Sequence, residues 1–526
     1  MHLAIGHYSI GSNDGVNTVI WRTVNELQYI DPNLRITLFG QAAPALDRFL
    51  PWKSGKLMYR NIEELSPDYR VPGLESKNVQ IQRVHDYIWH GTNIAERLQQ
   101  QFADADTILM ENLSIGINPA VTYAFHLWSL WEYQAKTDKR FFIRVHDFAQ
   151  QRPANFGNIK KFQAFLPTDM PDWHQILYPS TPNVEYISIN TTDYYRLIDH
   201  GIEPRRIWYV PNSIDNSLVR NRRVDRRVNK QIGKSGRLKP VDRDNAVAGQ
   251  LRLELEAKKN VAPEAAILFY PVRAIPRKNV EEAIYLTQLL NNLAKLPDYQ
   301  QKYDLDPSYH LIVSLNGGNE EERSYAQAIR RFVQENQLPV TIDISDIVGL
   351  HREYDTEDPQ RIVKYGVVDM YDIARMAVST SLLEGFGFVF IEPWAAEQCI
   401  IGRNIPSVTM DFVKAGLSLD HLYSALLVNG HDYADIGVDE PDHGLQLRLR
   451  EIKKLEDTEY LLKVFFRNSA SLRATLRLFR RKNRRTPYRA LVSANHKKVL
   501  ENYSNQRIVG MLSRIMLSQE PAYDEP

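Results

Sequence analysis

Short apolar runs recur along the chain, each followed by a longer amphipathic stretch of helical length. The first series comprises Leu3–Tyr8, Ile36–Phe39, Asp106–Met110, Phe141–Val145, Val184–Ile189 and Ile207–Val210. A second follows at Ala266–Tyr270, His310–Leu315, Val340–Ile344 and Met376–Leu382. Short continuous apolar runs bounded by turn residues read as strands buried on both faces. Strands alternating with helices build parallel sheets covered on either side. Two such series predict an α/β chain of two doubly wound, Rossmann-like domains, with ligands at the carboxyl ends of the strands in the crevice between them. The expected division is residues 1–212 and residues 263–494, with a helix at about 495–518 crossing back to the first domain.

Two regions interrupt the pattern. Residues 217–262 carry Arg220, Arg222, Arg223, Arg226, Arg227, Lys230, Lys234, Arg237 and Lys239, with few apolar side chains before Leu251. The stretch 213–262 therefore reads as a basic insertion or linker, solvated or facing an anionic acceptor or membrane. The tail from about Asp457 is helical and holds a second basic run at Arg477, Arg480, Arg481, Lys482, Arg484 and Arg485, and Gln519–Pro526 reads as frayed.

Composition narrows the class. The chain has 526 residues, 43% hydrophobic and 25% charged, with a formal net charge of +1, so nothing global points to nucleic acid. One cysteine, Cys399, precludes an internal disulfide framework and suits a reducing compartment. No run approaches the ~18 apolar residues of a membrane span, and no charged-then-apolar leader opens the chain. A cytoplasmic protein is expected, with room left for peripheral contact with a membrane.

The chemistry concentrates after the last strand of the second series. There Glu384-Gly385-Phe386-Gly387-Phe388 leads to a second carboxylate, Glu392. Glycines at a strand-to-helix junction let backbone N–H groups approach a phosphate, and a following helix turns its positive end toward it. Carboxylates on either side suit sugar and ribose hydroxyls. Pro393 is tolerated only in a helix's first turn, which puts the helix start near Val389. Arg273 and Lys278 close the Ala266–Tyr270 strand and make a guanidinium and ammonium pair for a diphosphate, neutralising charge on a leaving nucleotide without a metal. The glycines of Asn316-Gly317-Gly318 point backbone at the same place. In the first domain, His146 ends a strand and faces the crevice, with Asp147 placed to orient its ring. The loop Gly11-Ser12-Asn13-Asp14-Gly15 forms the first strand-to-helix turn, without the spacing of a dinucleotide fingerprint. Val210-Pro211-Asn212-Ser213-Ile214-Asp215 has the turn chemistry of a hinge.

Together these residues resemble the GT-B retaining glycosyltransferases, family 4 in particular. Glu384 and Glu392 match its E-x7-E motif, Arg273 and Lys278 its phosphate pair, and His146-Asp147 its N-domain histidine. Gly11–Val16 is similar to its acceptor-side loop, and Val210–Asp215 to its hinge, with Ser213 in place of glycine. The resemblance runs in order from residue 5 to about 400 and implies a GT-B fold and transfer of a sugar from a nucleotide-diphosphate sugar to a hydroxyl acceptor with retention. It implies that Arg273 and Lys278 hold the diphosphate with amides of Gly385–Phe388, and that Glu384 binds the donor sugar and Glu392 the ribose; the strand end at Asn316 and Gly317 is expected near the nucleotide on its own glycines. His146 then stabilises the sugar, while Gly11, Asp14, Gly15 and Asp147 lie on the acceptor side. No cofactor or metal is obligatory; the nucleotide sugar is the donor substrate. Beyond Glu397 the chain departs from the family, and Arg403 becomes a candidate sugar or acceptor contact. The insertions near 55–100, 150–175 and 217–262 point to unusual acceptor recognition. The competing readings are a non-catalytic sugar-nucleotide-binding partner subunit, a sugar-nucleotide epimerase on the same fold, and a phosphorylase, for which no pyridoxal-phosphate lysine signal is present.

Overall fold

The computed structural model describes residues 1–12, 14–43, 56–66, 79–152, 155–157, 159–160, 172–219, 240–318, 320–358, 361–440, 443–480 and 487–517; for 79–87 and 240–246 this covers the backbone alone. It divides into two units, one of Met1–Ser213 with the segment from Tyr503, the other of Ile214–Asn502.

The first unit is a seven-stranded sheet in the order β3-β2-β1-β4-β5-β6-β7. The strands are β1 His2–Ile10, β2 Arg35–Ala42, β3 Leu57–Asn61, β4 Thr107–Glu111, β5 Arg140–Val145, β6 Val184–Ser188 and β7 Ile207–Tyr209, and neighbours pair in parallel throughout. Their continuous apolar runs bury both faces. Ile108, Met110, Phe141, Ile143 and Val145 pack on one side; Leu3, Ile5, Leu109 and Phe142 pack on the other. Strand order reverses between β1 and β4, so the chain leaves these neighbours in opposite directions and opens a gap at their carboxyl ends.

The second unit is a five-stranded parallel sheet, β10-β9-β8-β14-β15. Here β8 is Ala266–Arg273, β9 Tyr309–Leu315 and β10 Val340–Ile342; a small sheet of β11 Val348–Gly349, β12 Glu353–Tyr354 and β13 Ile362–Gly366 intervenes before β14 Ala374–Ser379 and β15 Ile400–Gly402. Its switch point lies between β8 and β14.

Several sequence expectations change. Strands β3 and β15 have no counterpart among the predicted runs, since β3 carries a charged residue, Arg60, within five positions and β15 is three residues long. Within the stretch read as a basic linker, Pro240–Lys259 is a helix with Leu251 and Leu255 fully buried, while the arginine and lysine run at 220–239 lies outside the described residues. The single helix expected near 495–518 is two, Pro487–Tyr503 and Asn505–Leu517, and the second buries Ile508, Val509, Leu512 and Met516 against the first unit's sheet. Cys399 is fully buried. No described helix is long and apolar enough to cross a membrane.

Candidate functional site

At the switch point of the second unit, two loops are laced together by hydrogen bonds. Beyond β8 the chain makes a 3₁₀ turn, Pro276–Lys278, and Asn279 takes a left-handed conformation (φ 49°) before a 15-residue helix, Val280–Ala294. Beyond β14 runs Thr380–Glu384. The buried Tyr270 hydroxyl donates to the Lys278 carbonyl (2.8 Å), Thr380 Oγ1 donates to the carbonyl of Asn279 (2.9 Å), and the Leu382 amide donates to that of Arg277 (2.9 Å). These bonds set Lys278 beside Glu384, 106 positions away in sequence: Nζ to Oε1 is 2.5 Å, with both side chains nearly buried. Arg277 lies 3.7 Å from the other carboxylate oxygen and donates to the Leu383 carbonyl (3.0 Å). Burial alone would raise the Glu384 carboxyl, but Lys278 and Arg277 outweigh it and hold the group below its ordinary value. Burial pulls the Lys278 ammonium down, against the pull of Glu384.

Arg273 ends β8 next to Leu315 of β9 and is the most exposed of these cations; Glu322 stands 3.9 Å away. Glu322 also accepts from the Gly318 amide (2.7 Å), and a side chain at Gly317 would collide with the Glu322 backbone at 2.4 Å. Among the described residues, the buried Asn316 Oδ1 has no hydrogen-bond partner. The structure therefore brings Arg273, Arg277, Lys278, Glu384, Asn316 and Gly317 to one end of one sheet, with cations in excess.

The Glu-Gly-Phe-Gly turn is built differently from expectation. Gly387 takes φ 87°, and a Cβ there would lie 2.6 Å from Val408 Cγ1, so this glycine serves conformation and packing. Phe386 packs edge-on against Phe388 (5.1 Å) and Phe412 (5.5 Å). The helix expected from Val389 is a 3₁₀ turn, Phe388–Phe390, then a single helical turn, Glu392–Ala395. Pro393 has no N–H to bond back toward Val389, and Ile391 leaves helical geometry. No helix dipole of useful length is formed there, so attraction for an anion rests on the side chains of the β8 loop. Glu392 is half-buried; burial, reinforced by its carboxylate, pushes the Tyr371 hydroxyl well above its ordinary value. Arg403 is buried against Glu282 and Asp432, away from any role as an open sugar contact.

The first unit has its own polar cluster at the β1–β4 switch. His146, after β5, bonds through Nε2 to Glu111 Oε2 (2.7 Å), and Glu111 is fully buried at the end of β4. Arg144, opposite Glu111 in register, stands 3.8 Å from Oε1 and donates to Asn212 Oδ1 (2.9 Å). His7 bonds to the Glu111 carbonyl (3.0 Å), and burial pulls its imidazole below the ordinary value. Burial would raise the Glu111 carboxyl, yet Arg144 and His146 hold it down. Asp147 does not orient His146: its carboxylate pairs with Arg152 (2.9 Å). The histidine's partner is Glu111, hidden in the sequence because a carboxylate ending an apolar strand reads as its solvated tip; Arg144 at the matching position of β5 is the available signal.

Asp14 caps the helix Gly15–Ile30 by accepting from the Asn17 amide (2.8 Å), while Asn17 closes the loop through the Gly11 amide (2.8 Å) and the Ser9 carbonyl (3.0 Å). Asn17 is thus the loop's organiser, another residue that the sequence pattern does not single out. A side chain at Gly15 would meet nothing within 4 Å. Among the described residues, no group of three or more His, Cys, Asp or Glu gathers as a metal cage.

Two doubly wound parallel sheets in one chain match solved structures along their whole length. The apo form of OtsA has a TM-score of 0.51 at 12% identity, covering 99% of this chain and 100% of that one. The trehalose-6-phosphate structure from E. coli bound with UDP-2-fluoro glucose has a TM-score of 0.50, again at 12% identity with 99% and 100% coverage. The fold is GT-B. No protein-family model matches the chain. Mannosylglucosyl-3-phosphoglycerate synthase of Petrotoga mobilis is 24% identical over 408 residues, which make up 77% of this chain and 65% of that protein, so the match spans just under two thirds of the relative's length. In this GT-B chain each Rossmann-like unit carries a polar cluster at its own switch point, cationic in the second and centred on Glu111 and His146 in the first.

Proposed function

We propose that this GT-B chain is a retaining glycosyltransferase of the family 4 type that moves a hexosyl group from a nucleotide-diphosphate sugar to a hydroxyl acceptor in the cytoplasm. The observation that carries the reading is the Lys278–Glu384 pair, nearly buried at 2.5 Å and flanked by Arg277 and Arg273 at the carboxyl end of β8. A diphosphate arriving there meets a nearly buried point charge and two partly exposed guanidinium forks, and these stabilise the charge that grows on the leaving phosphate. Glu384 then turns to the donor sugar's hydroxyls, and Glu392 takes the ribose. The leaving phosphate accepts the acceptor's proton on the face it departs from, so retention needs no carboxylate nucleophile, in contrast to a retaining glycosidase.

The first unit takes the acceptor. With Nε2 turned to Glu111, His146 leaves its other ring nitrogen for a sugar hydroxyl. Gly11, Asp14, Gly15 and Asp147 line the acceptor side. The name of the Petrotoga relative supports a small phosphorylated glycerate glycoside as acceptor class. Metal is not required in this scheme, because the β8-loop cations do the work of charge neutralisation.

The test is a thermal-shift screen against UDP-, GDP- and ADP-sugars, followed by a transfer assay with glucosyl-3-phosphoglycerate as acceptor and NMR of the product's anomeric coupling. Stabilisation by one donor class and a product of unchanged configuration are expected. Inversion removes the retaining mechanism; binding without transfer to any hydroxyl compound replaces the enzyme with the sugar-nucleotide-binding partner; silence toward every nucleotide sugar overturns the reading.

A further inference from the structure

The residues behind the β8 loop form a buried charged network that the donor reading leaves without a role. Glu282, in the first turn of the helix Val280–Ala294, is fully buried. Its Oε2 accepts from Asn279 Nδ2 (2.6 Å) and from Arg403 NH2 (2.7 Å), while Oε1 accepts from Arg403 Nε (3.1 Å) and Tyr423 OH (2.8 Å). The far side of the Arg403 guanidinium donates to both oxygens of Asp432 (2.6 and 2.7 Å) and to the Ser424 carbonyl (3.1 Å). Arg403 is anchored through its own backbone as well, its amide donating to the Ser379 carbonyl at the end of β14 (2.7 Å). The neighbouring Glu281 is held by Arg448 (2.8 Å) and by Tyr325, whose hydroxyl also accepts from the Val280 amide (3.1 Å).

The Arg403–Glu282 branch leads to one backbone point. Asn279 follows Lys278 directly, sits in the left-handed region, and is 1% exposed. A bend of that kind holds one direction only when its surroundings over-determine it. Its side chain is fastened to Glu282, its carbonyl to Thr380, and the preceding carbonyl of Lys278 to Tyr270. A buried carboxylate without a counter-charge is costly, so Glu282 keeps its position and charge only while Arg403 faces it. Arg403 is therefore tied to the aim of Lys278 without touching what Lys278 binds.

We propose that Arg403, Glu282 and Asn279 are positioning residues, a relay that fixes the direction of the Lys278 ammonium toward the diphosphate of the donor. The proposal rests on Lys278 being a diphosphate ligand, and it locates part of the donor binding in residues that never contact the donor. A displacement of the ammonium by ~1 Å lowers the rate by up to about a hundredfold. The relay accounts for a buried arginine in the very segment, Gln398–Val408, where the chain leaves the family pattern.

The test reads Lys278 itself. The full chain is labelled with a lysine-acylating reagent at several pH values, with and without inorganic pyrophosphate, and modification of Lys278 is followed by mass spectrometry. Three variants are compared with the unaltered chain: Glu282→Gln, Arg403→Lys, and Asn279→Gly. The last keeps the left-handed bend, which glycine adopts freely, and deletes only the side-chain bond. Pyrophosphate is expected to protect Lys278 in the unaltered chain and to protect it about tenfold less in folded Glu282→Gln and Asn279→Gly; Arg403→Lys retains the charge, loses the fork, and falls between. Equal protection in all four proteins overturns the relay. Without pyrophosphate, Lys278 is expected to label faster, with a shifted pH profile, in Glu282→Gln; an unchanged profile overturns the relay whatever the ligand is. Absence of protection in the unaltered chain strikes the diphosphate reading instead, so the two failures are distinct. If Glu282→Gln does not fold, Asn279→Gly carries both measurements.

Discussion

Glu384→Gln changes one oxygen for a nitrogen and separates an anion site from an ordinary ion pair. The substitution removes the partner 2.5 Å from Lys278 Nζ and leaves an ammonium that is 8% exposed, with Arg277 close by. At an effective dielectric of about 20, a pair at that distance is worth about 7 kcal/mol before desolvation is deducted. Removing one member of a buried pair costs roughly 3–5 kcal/mol, since the other charge is orphaned. A smaller loss is expected for Lys278→Met, because Arg277, 3.7 Å from the other carboxylate oxygen, still faces Glu384. The double variant loses less than the two single losses added together, because neither buried partner is left facing an empty place, giving a coupling of about 1–3 kcal/mol. Pyrophosphate replaces the missing counter-charge in Glu384→Gln, so it binds that variant more tightly than the unaltered chain and recovers much of the stability, while sugar transfer is lost. Hydrogen-exchange mass spectrometry on peptides of β8 and β14 in graded urea reports the second unit alone, and calorimetry gives the pyrophosphate affinity. Losses in the two single variants that simply add in the double one, or weaker pyrophosphate binding to Glu384→Gln, refute the reasoning.

Glu111→Gln is expected to lower kcat by at least about tenfold with little change in donor KM, with His146→Gln giving a similar loss and the double variant no further one; additive losses show that the two act separately. Acid unfolding should draw on the same pairs: Glu384 and Glu111 sit below their ordinary value of 4.5, so the stability they contribute is complete above that pH and is lost as pH falls through their lowered values. A melting series from neutral pH down to strongly acid pH checks this, and Glu384→Gln should flatten its acid limb. Gly387→Ala places a Cβ 2.6 Å from Val408 Cγ1 at φ 87° and is expected to destabilise by about 2–4 kcal/mol, read from urea midpoints. Asn505→Ala removes buried bonds to Ser213 Oγ (2.7 Å), the Arg22 carbonyl (3.1 Å) and Glu26 (2.9 Å), and should loosen the helix Asn505–Leu517 by about 1–3 kcal/mol, seen as faster hydrogen exchange there.

Much of the second unit's cationic site is legible in the sequence because it is local to strand ends. Arg273 and Lys278 follow an apolar run, Glu384 follows another, and carboxyl ends of parallel strands are where polar residues collect. The helix after Gly387 departs from expectation because a proline permitted in a first turn says nothing of the break that Ile391 makes before it. Glu282 and Arg403 do not announce themselves as partners: Glu282 looks like a surface charge, Arg403 reads as a sugar or acceptor contact, and 121 positions separate them. Sequence proximity alone favours Asp147 over Glu111 as the partner of His146, and the pairing of β4 with β5 reverses that preference.

The order of apolar runs, taken by itself, determined that the chain makes two parallel sheets covered by helices, because side-chain periodicity reports how many faces of a strand are buried. It also placed the arginine, lysine and first glutamate at strand ends. Only the tertiary structure decided which of those groups meet. Register set Glu111 opposite Arg144, strand order set β8 beside β14, and the hydrogen bonds between the loops beyond those two strands set Lys278 beside Glu384. Such pairings depend on neighbours across a sheet, and a one-dimensional pattern records the face a residue occupies but not the residue that faces it.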